Sequence, residues 1–455
     1  MNSNTLDMTK GTPWKLIISF AIPIFFSNLF QQLYNSVDSL IVGNFLGKEA
    51  LAAVSSSGNL IFLFTSFFIG TSMGAGVIIS KYFGEKNYED MHKAIHTGIA
   101  LGLVSSIILT FLGVFLSPTI LKLMGTAENV LPNSIIYFRY YFIGVTGVVM
   151  YNIFNGILQA IGNSRRPLIY LIISSLTNIV LDLLFIGVFK WGVGSASIAT
   201  AISQCGSALL CFIFLLKKGT VYQVKIKDIK FHKGMLKEIL KQGIPSGVQN
   251  SVIALANVVV QSNINSFGDN AMAGCGSYSK IEGFAFLPIT CFTMSITTFI
   301  SQNLGAKQYD RAKKGSRFGI ISSMVLAEIV GIIMYTLAPT LIGLFSDEVD
   351  VINIGVLQCR TVCLFYFLLA FSHCIAAVCR GAGKAFIPML IMLIIWCGIR
   401  VTYITIAMNI SHEIKLLFYA YPLTWTLSSI VYLIYYLFSD WIHGFDKMRR
   451  KEIKL

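Results

Sequence analysis

Few acidic residues interrupt the long apolar stretches of this 455-residue chain, and Asp38 is the first of them. It ends a row of polar side chains spaced three or four residues apart, a spacing that puts them on one face of a helix. The row consists of Asn28, Gln31, Asn35 and Asp38, with Tyr34 beside it. Carboxylate and amide oxygens suit hard cations, so this face predicts a cation site.

A second acidic residue, Asp182, follows Asn178 by four positions, so the two side chains lie one helical turn apart on one face. We expect Asp38, Asn178 and Asp182 to bind one cation together. Two carboxylates close together with little water around them would share a proton. Their oxygens would equally suit Na⁺, and the residue types do not distinguish H⁺ from Na⁺.

A third apolar stretch carries three amides on one face, Asn152, Asn155 and Gln159. Three polar faces in one half of the chain predict a wet chamber that holds a small ligand. We expect this chamber to be lined by Gln31, Tyr34, Asn35, Asn152, Asn155 and Gln159. Hydrogen bonding between helices would explain any single amide equally well.

The second half of the chain is polar in a different way. Its first apolar stretch has an amide face without an acid, which includes Asn257 and Gln261. Further along, acids and bases balance in sign, which predicts a buried network of ion pairs among Lys280, Glu282, Glu328 and Arg400. His373 is expected to be a hydrogen-bonded interior histidine.

The composition places these residues in a membrane. Hydrophobic residues make up 55% of the chain and charged residues 12%, against about 25% charged in soluble domains. Apolar stretches long enough to cross a bilayer as helices recur twelve times, at 14–42, 50–80, 94–117, 133–160, 166–189, 194–216, 238–266, 271–302, 316–340, 353–379, 385–408 and 415–438. Because an ionisable group inside a membrane is costly, Asp38 and Asp182 are functional candidates.

Lys and Arg fall mostly in alternate loops. This distribution predicts a protein of the bacterial cytoplasmic membrane with both termini on the cytoplasmic side. The net charge of +14 then reflects topology and contact with anionic lipid, and nucleic acid is excluded as a partner. The nine cysteines form no CxxC motif and no metal cluster. No metal beyond a Na⁺ and no cofactor is expected, and neither is enzymatic activity.

The chain repeats itself after 221 residues. The shift brings Gly47 onto Gly268, Gly162 onto Gly383 and Arg139 onto Arg360, and Pro23 meets Pro245 after a slip of one residue. Six spans separate the copies, so both halves insert with the same orientation. The repeat predicts an all-α membrane protein with two six-helix bundles related by a pseudo-twofold axis, with binding between the halves. We expect an N-lobe over 1–216, a basic linker over 217–237 and a C-lobe over 238–455 that ends in a basic tail.

Several motifs resemble those of the multidrug and toxic compound extrusion (MATE) family over residues 10–440. They are the early prolines Pro23 and Pro245, the loops GEKNYEDMHKA and GAKQYDRAKKG, and the segments LQAIGNSRRP and CRGAGKAFIP. The acid at Asp38 and the pair Asn178 and Asp182 are similar to the N-lobe cation site of the DinF-like branch. The resemblance implies a V-shaped pair of bundles, and it implies that Pro23 lets the first helix bend. A shared packing kink would also explain the two prolines.

The resemblance implies that the protein functions as an antiporter. Such a protein exports small amphipathic, cationic organic compounds in exchange for H⁺ or Na⁺, by alternating access of two lobes, and we expect it to act as a monomer. The alternative is a flippase of a lipid-linked precursor from the same superfamily. A flippase would need a cationic cavity for pyrophosphate, whereas the first half of this chain is acidic and amide-rich.

Overall fold

A computed structural model describes residues 5–123, 126 and 128–446, and within them the chain is helical with no strand. Fifteen α-helices have the bounds α1 Pro13–Leu46, α2 Lys48–Glu85, α3 Tyr88–Leu123, α4 Leu131–Ile143, α5 Val145–Ala160, α6 Arg165–Asp182, α7 Gly194–Leu215, α8 Lys233–Asn265, α9 Asp269–Gly305, α10 Tyr309–Gly343, α11 Val349–Val362, α12 Tyr366–Gly381, α13 Phe386–Met392, α14 Arg400–Ile410 and α15 Ile414–Phe438. The predicted basic tail after residue 446 lies outside the described residues.

Twelve spans account for these helices, which confirms the predicted fold class. Eleven segments are long and apolar enough to cross a membrane, and α4 and α5 form one more span that bends by 47°. The bend falls at Gly144, where a side chain would meet the Cβ of Ala201 on α7 at 2.2 Å. Glycine at this position therefore lets the bent span lie close against α7.

Many large apolar side chains point outward from these helices. Phe115 on α3 is 69% exposed and Leu437 on α15 is 63% exposed. Such surfaces would be costly in water, but in a bilayer they contact lipid. The chain is a multi-pass membrane protein.

The internal repeat is also visible in the backbone conformation. Gly47 and Gly268 share a positive φ of 85° and 90°, Lys86 and Lys307 one of 58° and 57°. The Ser80 hydroxyl donates to the Ala160 carbonyl at 3.2 Å. At the repeat positions, Ser301 donates to the Gly381 carbonyl at 2.9 Å. The left-handed turns and the helix contacts have thus been duplicated together with the sequence.

Two compact units divide the chain. One holds Met1–Asp7 and Phe26–Gly247, and the other holds Met8–Phe25 and Val248–Leu455. Their borders lie inside α1 and α8, two residues after Pro23 and two after Pro245, rather than in the linker 217–237. Each of these helices therefore begins in one unit and ends in the other. Both continue through their proline without a break in the helix.

The first half of α8 is held tightly in the first unit. Gly70 and Gly74 of α2 face Gly247 and Gly243 of α8, and a side chain on either α2 glycine would come within 2.4 Å of the opposite backbone. A buried ion pair extends this contact, since Lys81 Nζ lies 3.3 Å from a Glu238 carboxylate oxygen. The Tyr82 hydroxyl donates to the other oxygen at 2.8 Å.

Two stretches of π-helix border charged residues. Leu183–Val188 starts directly after Asp182 and ends the span that α6 began. Leu393–Ile399 ends directly before Arg400 and joins α13 to α14. Such wide turns are uncommon and occur often at functional sites.

Candidate functional site

Asp38 of α1 and Asp182 at the end of α6 lie together inside the first unit. Their carboxyl groups are within hydrogen-bonding reach of each other. Asp38 is 9% exposed, Asp182 is fully buried and Asn178 is 1% exposed. The structure thus brings the two predicted acids together in the first unit.

The two carboxyl groups find no donor in the part of the chain that the structure describes. Asp38 Oδ1, both oxygens of Asp182 and both amide atoms of Asn178 are buried without a hydrogen-bond partner. A buried polar atom left unpaired costs free energy, and an unpaired charge costs much more. Two ionised carboxylates in contact also repel each other. This arrangement therefore requires a positive charge, either a shared proton or a bound cation.

Aromatic and amide side chains surround the pair. Tyr34 is buried, interacts with Gln31, and accepts a hydrogen bond from Gln204 of α7 at 3.4 Å. The Tyr34 hydroxyl lies close enough to Asp38 and Asp182 to feel their charge, as does the buried Tyr137 of α4. Sequence reasoning missed Gln204 and Tyr137. Gln204 is an amide in an otherwise apolar span, which was a usable signal, but nothing marked Tyr137 among the many tyrosines.

The other predicted chamber residues are distributed in two groups. Gln31 and Asn35 are exposed on α1, although they share its polar row with the buried Asp38. The α5 amides bond within their own helix: Asn152 donates to the Val148 carbonyl at 2.8 Å and Gln159 to Asn155 at 2.9 Å. No described hydrogen bond links these three amides to Asp38 or Asp182.

In the second unit, Glu282 of α9 belongs to a chain of hydroxyl groups. The Tyr278 hydroxyl donates to Glu282 at 2.9 Å and lies 2.9 Å from the Tyr366 hydroxyl. Both tyrosines are 1% exposed. The carboxylate is therefore anchored by a neighbouring turn of its own helix and, through Tyr278, by α12.

Arg400 is 1% exposed and lies among aromatic rings. Its guanidinium carbon is 4.5 Å from the Trp396 ring centre and 4.9 Å from that of Tyr421. Nη2 donates to the Thr424 hydroxyl at 2.8 Å, whereas Nη1 is buried without a partner among the described residues. Cation–π contacts thus replace an acidic partner.

The predicted ion-pair network in this half is wrong. Among the described residues, Lys280, Glu282, Glu328 and Arg400 form no salt bridge with one another, since each has a partner of another kind. Lys280 lies over the Phe345 ring at 5.3 Å, and the Phe367 amide donates to Glu328 at 3.3 Å. Glu282 and Arg400 still interact electrostatically over a longer distance.

The remaining polar residues predicted for the second half lie apart from this cluster. Asn257 and Gln261 are exposed on α8, and Gln261 donates to Asn265 at 2.9 Å. His373 stands among rings, 5.8 Å from Trp396 and 6.3 Å from Phe286 between ring centres. Its Nε2 is buried without a partner in the described chain, so this nitrogen does not form the hydrogen bond that an interior histidine usually makes.

Comparison with known proteins supplies the family. The family model described as MatE matches residues 23–184 and again residues 245–404. The chain belongs to the MatE family. The two matches start at Pro23 and Pro245, so the family model recognises the same repeat that divides the sequence. Members of this family are transporters, and the chain is accordingly a transporter rather than an enzyme.

MatE relatives match almost the whole chain. YoeA of Bacillus subtilis (strain 168), named a probable multidrug resistance protein, is 28% identical over 445 residues, which cover 95% of this chain and 96% of the relative. NorM of Thermotoga maritima, also named a probable multidrug resistance protein, is 26% identical over 396 residues, which cover 84% and 83%. These relatives support drug efflux and do not favour a lipid-linked-precursor flippase.

Solved MatE-type structures share the fold. A MOP superfamily transporter from Pyrococcus furiosus superposes with a TM-score of 0.89 at 22% identity, over 100% of both chains. A multidrug resistance MATE family transporter in an outward-facing conformation gives 0.88 at 22% identity, over 100% of this chain and 99% of the other.

Proposed function

We propose that this MatE transporter is an antiporter that exports small amphipathic, cationic organic compounds in exchange for a cation bound between Asp38 and Asp182. The observation that carries the proposal is the contact of two buried carboxyl groups with no protein donor. Such a pair is incomplete without a positive charge, so it binds one whenever the site is closed. The names of the multidrug relatives support drug-like compounds as the exported substrates.

The proposed ion is H⁺. One proton turns one carboxyl group into a donor to the other, and the contact is then satisfied without any further ligand. A Na⁺ would instead draw on the remaining unpaired oxygens, those of Asp38, Asp182 and the Asn178 amide. Export under an imposed pH gradient or an imposed Na⁺ gradient distinguishes the two ions.

The proposed substrate enters beside the same acids. Gln31 and Asn35 are exposed on the α1 row that ends at Asp38, and we propose that they contact the substrate, with Tyr34 and the α5 amides deeper in the chamber. A cationic compound replaces the ion as the partner of the carboxyl pair. Because both cannot be bound at once, an inward ion gradient drives the substrate outward.

The proposed conformational change uses the two prolines. α1 passes between the compact units next to Pro23, and α8 does so next to Pro245. Proline removes one backbone hydrogen bond and weakens the helix at that point. We propose that these two positions bend as access alternates, and that loading of Asp38 is transmitted along α1 to Pro23.

The energetics of this exchange are sufficient for efflux. One pH unit supplies about 1.4 kcal/mol per proton, which sustains a tenfold concentration ratio of a substrate exchanged one for one. Exchange of one monovalent cation for one proton moves no net charge. The membrane potential therefore does not oppose export at this ratio.

We further propose that the protein acts as a monomer in the bacterial cytoplasmic membrane, with both termini in the cytoplasm. The alternation of Lys- and Arg-rich loops supports this orientation.

The proposal is tested by export of a cationic dye from proteoliposomes under an imposed gradient of either pH or Na⁺. We expect a pH gradient alone to drive export by the wild type, and Asp38→Asn and Asp182→Asn to abolish it. Glu328→Gln is the control, because it removes a span carboxylate that bonds only a backbone amide of its own unit. Export by Asp38→Asn at the wild-type rate would overturn the proposal. Export driven by Na⁺ alone would overturn H⁺ as the ion and retain the site.

A further inference from the structure

The first unit has an apolar groove on its surface, between α3, α5 and α7. Its volume is about 290 Å³, and its lining is almost wholly apolar and includes Leu103, Leu209 and Ile229. Leu103 is 40% exposed and Leu209 57% exposed. The groove is thus open along helices that cross the membrane, where its natural occupant is hydrocarbon.

One lining residue of this groove, Ile229, belongs to the linker between α7 and α8. The linker is folded onto the first unit. The Val224 amide donates to the Leu215 carbonyl at 2.8 Å, and the Lys225 amide donates to His96 Nε2 on α3 at 3.0 Å. Tyr222 and Val224 are buried in the core of the unit. The position of Ile229 relative to the groove is therefore fixed by hydrogen bonds and packing.

The same linker presents positive charge and apolar side chains to its surroundings. Residues 217–237 contain seven lysines and a single acid, Asp228. Lys225, Lys227 and Lys230 flank Ile229 and are exposed. Ile226 is 64% exposed and Phe231 44% exposed, as in segments that lie at a membrane surface with apolar side chains inserted and lysines at the head groups.

We propose that the groove and the linker form a binding site for one anionic phospholipid. One acyl chain lies in the groove along Leu103, Leu209 and Ile229, and the phosphate head group is held by Lys225, Lys227 and Lys230. Basic pockets between membrane helices at the bilayer surface recognise anionic head groups in this way.

The function of such a lipid follows from the position of the linker. The linker leads into α8, whose first half is packed on α2 through Gly243 and Gly247. A lipid bridging α3, α5, α7 and the linker ties the start of α8 to the first unit. The site therefore stabilises this unit, whether or not the proposed ion exchange is correct.

The test is native mass spectrometry of the full-length protein released from nanodiscs that contain equal amounts of phosphatidylglycerol and phosphatidylcholine with identical acyl chains. We expect retained lipid to be enriched in phosphatidylglycerol. Replacement of Lys225, Lys227 and Lys230 by Gln should abolish this enrichment, because each lysine contributes roughly fivefold to the preference for the anionic lipid. Leu209→Trp, which fills the groove without a change of charge, should also remove it.

Two matched controls accompany these variants. Lys307, Lys313 and Lys314, all exposed in the second unit, are replaced by Gln, and Leu337, a 48% exposed leucine of α10, by Trp. Both should retain the enrichment. Equal retention of the two lipids by the wild type would overturn the site. Loss in the lysine variant alone, with Leu209→Trp unaffected, would reduce it to surface attraction and would equally overturn a lipid seated in the groove.

Discussion

Asp38 and Asp182 come from helices α1 and α6, and their carboxyl groups lie within hydrogen-bonding reach of each other inside the first unit. At this site Asp38 Oδ1, both oxygens of Asp182 and both amide atoms of Asn178 are buried without a hydrogen-bond partner among the described residues. Natural proteins rarely leave buried polar groups unpaired, and where they do the group often has a function. An incomplete site of this kind is what an exchanged ion requires, because the ion must leave as well as bind.

Asp182→Asn should stabilise the folded protein. The variant places a permanent amide donor opposite the Asp38 carboxylate, where the wild type has a donor only while the pair holds a proton. A hydrogen bond to a charged group contributes about 1.5–3 kcal/mol, so we expect the detergent-solubilised variant to melt at higher temperature than the wild type at pH 8. A melting temperature below that of the wild type would show that Asp182 has another partner that the amide cannot replace.

Gly74→Ala should destabilise the first unit. The added Cβ would lie 2.4 Å from the backbone nitrogen of Gly243, so α2 and α8 must move apart. Overpacking of this kind costs about 1–3 kcal/mol, and we expect a lower melting temperature in a fluorescence-detected thermal shift assay. Gly206→Ala is the control, since nothing lies within 4 Å of its added Cβ and alanine favours a helix. If both variants melt alike, the α2–α8 contact is looser than described.

Glu238→Gln should destabilise the protein through its buried ion pair. The side chains of Lys81 and Glu238 are 8% and 7% exposed, and Glu238→Gln removes the buried carboxylate that Lys81 and the Tyr82 hydroxyl contact. Breaking such a pair costs about 3–5 kcal/mol, measured as a fall in melting temperature. Glu89→Gln provides the comparison, because the Glu89 side chain is 82% exposed in its pair with Lys93. We expect no change for Glu89→Gln, and a similar result for Glu238→Gln would contradict the buried pair.

Pro23→Ala and Pro245→Ala should slow export without loss of the protein from the membrane. Alanine restores the helical hydrogen bond that proline lacks and stiffens α1 or α8 where it passes between units. Export rates in proteoliposomes are compared with those of Pro118→Ala, whose proline lies inside α3 within one unit. Wild-type rates for both hinge variants, with the control unaffected, would assign the two prolines a packing role only.

The sequence was sufficient for the twelve spans and the repeat. Length and hydropathy define membrane spans directly, and the 221-residue shift reappears as matching φ values at Gly47 and Gly268. Helical spacing also identified Asp38, Asn178 and Asp182 as groups on polar faces. That Asp38 and Asp182 touch required the structure, because spacing tells which side chains share a face and not which helix that face meets.

Several contacts in the second half could not be predicted from the sequence. The balance of charges at Lys280, Glu282 and Arg400 predicted ion pairs, but each group contacts rings or hydroxyls instead. The π-helical stretches next to Asp182 and Arg400 were not predicted, because no residue type signals such a turn. The residues 8–25 group with the second unit through contacts far apart in the chain, such as the bond from the Met8 amide to Gln302 at 3.0 Å.

The most direct test of the central claim is proton release when drug binds to the purified, detergent-solubilised transporter, followed with a pH-sensitive dye in weakly buffered solution. Because substrate and proton compete for the Asp38 and Asp182 pair, we expect the wild type to release protons in proportion to bound drug. Asp38→Asn should release none, although it still binds drug. Drug binding by the wild type with no proton release, or equal release by Asp38→Asn, would contradict an exchange of substrate for a proton at this pair.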